Sequence, residues 1–363
     1  MGALQTIITN QDDLARLAAH LAGVRAIALD TEFLRERTYR AELCLLQIAD
    51  ARGPVCIDPL AARDLAPLAA VLGQAGPLKV MHASRQDIEV LLPATGLPQP
   101  VFDTQIAAAL AGLPAQIGYG DLVRRMLGVM LGKAHTRADW SARPLTPEQI
   151  AYALDDVRYL LPLEEHLTAE LARLGRSEWL SEELALLADP GAYSVEPGAA
   201  WQRVRGLRGL DAPRARLARE LAAWREQRAI DRNKPRGWIL DDAILREIVL
   251  AAPRSLTALA ALAGMPAAVV RHCGAEILER IRAADLPNEL APVNLRARPD
   301  PAKAALLRQL SAVHRDVAAE LALSPEVLAT RRDLERLAAG ERELPVLRGW
   351  RRAVIGERLL AAL

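Results

Sequence analysis

The first half of the chain alternates short apolar runs with segments whose apolar residues have helical spacing. The apolar runs predict strands at Val24–Leu29, Cys44–Ala49, Val55–Ile57, Leu78–His82 and Val101–Phe102. The helical spacing predicts helices at Leu65–Leu72, from about Asp87 to Leu92, and at Thr104–Leu110, with helical patterns dominating from there to about Leu187. This alternation predicts a mixed α/β domain.

Two breaks rich in proline and glycine divide the remainder of the chain. The segment Asp189–Gly198 reads as a linker, and every segment after it has a helical pattern. A second break at Leu286–Pro301 splits this helical half in two. We therefore predict an α/β domain at 1–195 and all-helical domains at 205–287 and 295–363. Because of the linker, we expect the chemistry of the first domain to be separable from the helical half.

Composition limits the partners and the compartment. The formal net charge is +1, so nucleic-acid affinity has to come from local patches. Cys44, Cys56 and Cys273 form no CxxC pair, which argues against a disulfide framework and a zinc site. We find no signal peptide and no apolar stretch of about 18 residues, so the sequence predicts a cytoplasmic protein without a membrane span.

The first predicted strand leads into a pair of carboxylates. Asp30 and Glu32 lie two positions apart, so in a strand both side chains point to the same face. Two unpaired carboxylates this close repel each other, and a divalent cation removes that cost. Oxygen ligands favour Mg²⁺ or Mn²⁺ over Zn²⁺. A solvated strand end without metal is the alternative for this pair taken alone.

Two more acidic motifs follow in order. Asp87 comes after the strand that ends at His82, near a helix start where the helix dipole alone would favour a carboxylate. Tyr152 and Asp156 are four positions apart and share a helix face, so they could hold a water between them, whereas Asp155 lies off that face. Each motif alone is common, but their order along the chain predicts a joint acidic site.

In this order the motifs resemble the tyrosine-containing branch of the DEDD exonuclease superfamily, and within it the ribonuclease D family. The resemblance is carried by the stretches 30–39 (DTEFLRERTY), 97–105 (LPQPVFDTQ) and 137–145 (RADWSARPL). The two helical domains resemble HRDC domains, an accessory module also found in RecQ-type helicases, and the second one resembles them more loosely. Many relatives carry His-Asn and an aromatic residue before the motif aspartate, whereas this chain has Ala83 and Gln86 there.

The resemblance implies a ribonuclease H-like mixed-sheet exonuclease domain followed by two all-α HRDC-like domains. It implies a 3′→5′ exoribonuclease that releases nucleoside 5′-monophosphates, with tRNA precursors and other structured RNA 3′ ends as substrates. The catalytic residues would be Asp30, Glu32, Asp87, Tyr152 and Asp156. The four carboxylates would hold two divalent ions, Mg²⁺ or Mn²⁺, and Asp30 would bridge both. Tyr152 would orient the attacking water, since a phenol is a poor base at neutral pH.

Candidate substrate contacts surround these motifs. Phe33 could stack on the terminal base or could equally be a core residue. Lys133, Arg137 and Arg143 could meet phosphates, although the chain favours arginine over lysine throughout and this weakens the argument for any single arginine. Asp103 is expected to cap a helix.

The first helical domain begins with a basic run, Arg203–Arg236. Arginine and lysine outnumber acidic residues in it, and Trp201, Trp224 and Trp238 lie within or just beyond its ends. This pattern is typical of a surface that binds a nucleic-acid backbone. The alternative is a solvated helix face with its tryptophans in the core.

The motifs leave other functions open. They fit a 3′→5′ DNA exonuclease in repair equally well, because the motif residues contact metals and phosphates. A catalytically inactive nucleic-acid-binding scaffold is disfavoured because all five catalytic positions are filled. The sequence leaves the oligomeric state open, with a monomer favoured.

Overall fold

The computed structural model describes residues 7–132, 138–207, 210–284 and 301–363. The chain forms two compact units. The sheet unit comprises Met1–Leu34, Leu43–Tyr193 and Pro299–Leu363, and the helical unit comprises Arg35–Glu42 and Ser194–Arg298.

The sheet unit is built on a six-stranded mixed sheet in the order β1-β4-β3-β2-β5-β6. Its strands are β1 Ile7–Ile8, β2 Ala26–Leu34, β3 Glu42–Asp50, β4 Gly53–Ile57, β5 Leu78–Met81 and β6 Val101–Asp103. Strand β5 is parallel to both β2 and β6, β1 is parallel to β4, and β3 is antiparallel to β4. The predicted α/β class with a mixed sheet is confirmed, but β2 continues to Leu34 and therefore contains Asp30 and Glu32.

Helices accompany the strands along the first part of the chain. They are α1 Gln11–Leu21, α2 Ala66–Leu72, α3 Arg85–Thr95, α4 Thr104–Leu110, α5 Tyr119–Leu127, α6 Pro147–Arg158, α7 Leu160–Arg173 and α8 Ser177–Ala185. Local capping explains where two of them begin. The Asp103 carboxylate accepts the backbone N–H groups of Gln105 and Ile106 and so caps α4, as expected. Thr146 and Gln149 form a reciprocal capping box at the start of α6.

The last part of the chain shares the core of the sheet unit. It contains α14 Pro301–Glu320, α15 Pro325–Leu328, α16 Arg331–Ala338, α17 Gly349–Arg351, a π-helical turn Arg352–Gly356 and α18 Glu357–Ala361. Buried Leu310 and Leu337 lie in one continuous apolar cluster with Leu163 and Leu167 of α7. The exonuclease region therefore cannot be separated from all of the helical half at the predicted linker. Helices that follow the linker in the chain complete the core of the sheet unit.

The helical unit has its own core. Its helices are α9 Ala212–Asp231, α10 Arg236–Ile239, α11 Asp242–Ala251, α12 Leu256–Ala260 and α13 Ala267–Ala283. Fully buried Leu217, Ile248 and Ile277 pack together in it. The segment Arg35–Glu42, which joins β2 to β3, belongs to this unit. The Tyr39 hydroxyl donates to Glu226 Oε1 at 2.6 Å, so this segment is fastened to α9.

The domain limits 1–195, 205–287 and 295–363 remain predictions. The two compact units group the chain differently, since the region after Pro299 joins the sheet unit. The predicted linker Asp189–Gly198 contains a short 3₁₀ turn at Pro190–Tyr193, and the sheet unit's central segment ends at Tyr193.

Candidate active site

Strand β2 presents Asp30 and Glu32 from the interior of the sheet. The preceding residues, Ala26 to Leu29, are buried, so the backbone of the strand is held on both faces before the acidic positions begin. Asp30 and Glu32 are half-buried, and the buried Thr31 between them points to the other face. The strand therefore exposes two carboxylates on one face while its core side anchors them.

Asp87 reaches the site from the first turn of α3. The Thr31 hydroxyl donates to Asp87 Oδ1 at 2.5 Å, which links β2 directly to α3. The turn that leads from β5 to α3 contains Ala83 at φ 54°, in the left-handed region. Asp103 holds this turn, because its carboxylate accepts the backbone N–H groups of Ala83 at 3.2 Å and Ser84 at 2.8 Å.

Asp103 therefore does more than the helix capping expected from the sequence. Its Oδ2 also accepts the Ser84 hydroxyl at 2.8 Å, so one carboxylate fixes the end of β6, the start of α4 and the turn before Asp87. The capping role was predicted because Asp103 directly precedes a predicted helix. No sequence pattern indicates its hydrogen bonds with Ala83 and Ser84.

Helix α6 contributes Tyr152 and Asp156. The Tyr152 hydroxyl is hydrogen-bonded to the Asp156 carboxylate, as expected for positions that share a helix face. The Trp140 ring lies 6.1 Å from the Tyr152 ring and supports it. Asp155 points elsewhere and pairs with Arg158 at 2.8 Å.

Tyr119 and His82 lie beside this region, although neither was predicted as a site residue. The Tyr119 hydroxyl donates to the Asp155 carbonyl at 2.9 Å and accepts the backbone N–H of Tyr159 at 3.2 Å, which fixes the end of α6. His82 makes hydrogen bonds through both ring nitrogens, to Thr104 Oγ1 at 2.9 Å and to the Ile117 carbonyl at 3.0 Å. His82 is thus a structural side chain.

The pKa values of all four acidic side chains are raised, chiefly by burial. Burial raises the pKa of Asp30 well above its usual range, and the charges of Asp87, Asp156 and Glu32 raise it further. Burial followed by the charges of Asp156 and Asp87 raises the pKa of Glu32 to about 8. Burial also raises the pKa of Asp156 to about 7 and that of Asp87 to about 6, although hydrogen bonds from Tyr152 and Thr31 partly oppose these shifts. The structure therefore brings together the four carboxylates predicted from sequence.

The donor set suits a hard divalent cation. All four groups are oxygen ligands, and their mutual repulsion is the energetic penalty that a bound cation removes. In the part of the chain that the structure describes, no three acidic, histidine or cysteine side chains are already arranged as the ligands of one ion. The fit therefore rests on the chemistry of the donors and on their electrostatic interaction.

The predicted substrate contacts have different outcomes. Phe33 lies in β2 and is half-buried, whereas Lys133 and Arg137 lie outside the described residues. Arg143 is committed elsewhere: its Nε and Nη2 form a bidentate ion pair with Asp58, at 2.6 and 2.9 Å. Its remaining N–H groups donate to the carbonyl oxygens of Trp140, Ala142 and Cys44.

These bonds use all five N–H donors of the Arg143 guanidinium. Arg143 therefore has no donor left for a phosphate, which argues against the substrate contact expected from the sequence. Instead it ties the segment before α6 to Asp58, directly after β4, and so helps to place Tyr152 and Asp156. A basic residue near the motifs pointed to Arg143, but nothing in the sequence indicated Asp58 as its partner.

Comparison with known proteins decides the family. The chain is 41% identical over 364 residues to ribonuclease D of Gluconacetobacter diazotrophicus, and the match covers 98% of this chain and 92% of that protein. The chain belongs to the ribonuclease D family. A second family member, from Granulibacter bethesdensis, is also 41% identical, over 372 residues.

Solved structures and family models agree with membership in the ribonuclease D family. The crystal structure of Escherichia coli RNase D, described as an exoribonuclease involved in structured RNA processing, superposes with a TM-score of 0.88 at 33% identity and covers 99% of both chains. Residues 5–172 match the 3′-5′ exonuclease model and residues 214–281 match the HRDC domain model. The chain is thus an enzyme, a 3′→5′ exoribonuclease with an HRDC domain. The second predicted HRDC-like domain, at 295–363, stays a prediction.

The helices that the structure describes include none that is both long and apolar enough to span a membrane. The cytoplasmic location expected from the sequence stays a prediction.

Proposed function

We propose that Asp30, Glu32, Asp87 and Asp156 hold two divalent ions, Mg²⁺ or Mn²⁺, and that these carboxylates and Tyr152 catalyse hydrolysis at the 3′ end of RNA. The observation that carries this proposal is the convergence of four carboxylates from β2, α3 and α6. Burial raises the pKa of each carboxylate, and the charges of Asp87 and Asp156 raise the pKa values of Asp30 and Glu32 further. Bound divalent ions would supply an activated water and neutralise charge on the leaving oxygen.

Tyr152 acts as a hydrogen-bonding group in this proposal. Burial and the charges of Asp156 and Glu32 raise its pKa, so the phenol keeps its proton at neutral pH. Its hydroxyl donates to Asp156, and a phenol oxygen can also accept a hydrogen bond from water. Tyr152 therefore orients a water rather than deprotonating it.

The reaction exchanges one P–O bond for another. The water oxygen forms a bond to the phosphorus of the terminal nucleotide, and the bond from that phosphorus to the preceding 3′ oxygen breaks. The leaving 3′ oxygen takes up a proton that comes overall from the attacking water, so the shortened RNA ends in a 3′-hydroxyl and a nucleoside 5′-monophosphate is released. Asp30 and Glu32 both lie on β2, so the alignment of the reacting groups would depend most on the fixed geometry of this strand.

We further propose structured RNAs with 3′ extensions, tRNA precursors in particular, as the physiological substrates. Family membership supports this substrate class, as does the described role of the Escherichia coli enzyme in structured RNA processing. We propose that the chain acts as a monomer.

The test uses 5′-labelled RNA and DNA strands of one sequence, and a 3′-extended tRNA, each with Mg²⁺. We expect stepwise shortening of RNA from the 3′ end with nucleoside 5′-monophosphates as products. Asp30→Asn should abolish turnover, whereas the matched variant Asp155→Asn, whose side chain pairs with Arg158, should keep it. Full activity in excess EDTA would contradict the metal requirement, and faster cleavage of DNA would favour a repair nuclease.

A further inference from the structure

The basic run Arg203–Arg236 does not form one surface. Arg225 is fully buried and binds Asp242 at 2.7 Å and the Leu240 carbonyl at 2.8 Å. Buried Arg214 pairs with Asp211 at 2.6 Å. These arginines stabilise the helical unit and are not available to a ligand.

The tryptophans of this region divide in the same way. Trp224 is buried and its indole N–H donates to Glu276 at 2.7 Å, and the same carboxylate pairs with Arg228. Trp238, in contrast, is 60% exposed. A large aromatic face left in water is unfavourable, so an exposed tryptophan is more informative than a buried one.

A cation lies beside the exposed ring. The Lys234 ammonium lies 5.8 Å from the centroid of Trp238, within the range of a cation–π contact. Arg232 is exposed beside it in sequence. In the described part of the chain neither residue forms an ion pair, and the neighbouring Asp231 carboxylate accepts the Gln227 amide at 2.7 Å instead.

A second segment brings another cation to this place. Asn233 Oδ1 accepts the backbone N–H groups of both Tyr39 and Arg40 at 3.1 Å. Asn233 stands between Arg232 and Lys234 in the chain, so these two bonds fix the backbone of Arg40 next to them. The Arg40 side chain is exposed and is likewise without an ion pair among the described residues.

We infer that Arg40, Arg232, Lys234 and Trp238 form a platform for single-stranded RNA, on which one base stacks on the indole and the cations contact the adjacent phosphates. This inference rests on the proposed function, since it assigns a contact to the RNA substrate. Aromatic faces flanked by basic side chains bind single strands without reading their sequence, because every base has a π face. The platform therefore serves RNA of any sequence.

The test measures binding of the full chain to a 12-nucleotide oligouridylate by fluorescence anisotropy. EDTA is present so that cleavage does not interfere. Trp238→Ala should weaken binding about 5- to 100-fold, the range for loss of one base–aromatic stack. The slope of log affinity against log salt should stay unchanged, because no phosphate contact is lost. Trp238→Phe should restore part of the affinity.

Arg232→Ala should show the opposite signature. It should lower the salt slope by about 0.7, the value for one phosphate contact on a single strand. The matched control is Arg271→Ala, an exposed arginine on α13, which should leave both affinity and slope unchanged. Equal affinity of Trp238→Ala and the parent chain, or equal effects of Arg232→Ala and Arg271→Ala, would overturn the platform.

Activity on a dinucleotide separates this inference from the proposed function. A dinucleotide has one nucleotide on each side of its scissile bond and none left for the platform, so its hydrolysis by Trp238→Ala should equal that of the parent chain. Loss of dinucleotide hydrolysis in this variant would contradict a role confined to binding. Unchanged binding with normal hydrolysis would remove the platform and leave the nuclease assignment intact.

Discussion

The indole rings of Trp179 and Trp350 are stacked, with centroids 4.5 Å apart and an interplanar angle of 10°. Trp179 lies on α8 and Trp350 on α17, so the contact joins the exonuclease region to the last helices of the chain. The indole N–H of Trp350 also donates to Glu183 on α8 at 2.8 Å. The last helices are therefore an integral part of the sheet unit.

Trp350→Ala should lower the free energy of unfolding by about 3–5 kcal/mol, the usual cost of removing a buried tryptophan. Urea denaturation measures this change. Trp238→Ala is the matched control, because its ring is exposed and its removal should change stability by about 0.5 kcal/mol or less. A similar loss in both variants would show that the stacked pair adds no stability.

Stability without metal should decrease as the pH rises. Burial raises the pKa of Glu32 from 4.5 to about 8 and that of Asp156 from 3.8 to about 7. Between these limits the folded state retains protons that the unfolded state has released, so the free energy of unfolding falls with rising pH. Melting temperatures in EDTA at pH 5 and pH 8 measure the effect.

Magnesium should oppose this loss. The rise in melting temperature on adding Mg²⁺ should be larger at pH 8 than at pH 5, since the cation binds ionised carboxylates of the folded state. Glu32→Gln should raise the metal-free melting temperature at pH 8 and reduce the response to Mg²⁺. Glu165→Gln, on an exposed position of α7, should change neither. Identical Mg²⁺ responses at both pH values would contradict the assigned carboxylates.

Tyr152→Phe should reduce kcat by roughly 10- to 1,000-fold, a range that brackets loss of a catalytic hydrogen bond. The ring and its contact with Trp140 are kept, so substrate binding should barely change. Steady-state kinetics on a short RNA separates kcat from KM. Normal kcat in this variant would leave Tyr152 a packing role only.

Asp58→Asn and Arg143→Lys should reduce kcat to a similar extent, and the double variant should be little worse than either. Both break the bidentate pair that ties the segment before α6 to the end of β4. A phosphate contact by Arg143 predicts something else: Arg143→Lys would raise KM while Asp58→Asn would not. Kinetics of the two single variants distinguishes these roles.

Ala83→Asn should raise the free energy of unfolding by roughly 1 kcal/mol. Ala83 has φ 54°, a conformation that costs most residues about 1–2 kcal/mol and that asparagine tolerates better. Thermal melting measures the gain. Ala18→Asn tests the specificity of this effect: Ala18 is a buried helical residue, and asparagine there should destabilise the protein.

Local patterns predicted the elements that local physics determines. The helix Thr104–Leu110 has the predicted bounds, because Asp103 caps its start from the adjacent position. The predicted strand Val24–Leu29 ended too early, since β2 continues to Leu34. Strand length depends on pairing with a neighbouring strand, and the residues of β2 alone do not determine that pairing.

The candidate site shows the same division between local and long-range information. Spacing along the sequence was enough to pair Asp30 with Glu32 and Tyr152 with Asp156. The partner of Arg143, in contrast, lies 85 positions away in Asp58, and only the fold brings the two together. This is why a phosphate contact was expected of Arg143 where the structure has an internal ion pair.

The shared core at the end of the chain has a consequence for synthesis. A ribosome adds residues from the N-terminus, and domains generally fold as their residues emerge. The described helices of the helical unit have all been added once Ala283 ends α13, whereas the sheet unit still lacks α14 to α18. A nascent chain that ends before α14 thus carries every candidate catalytic side chain and yet exposes the apolar surface of α7 and α8. The helices translated after α13 therefore determine when the nuclease becomes a stable protein.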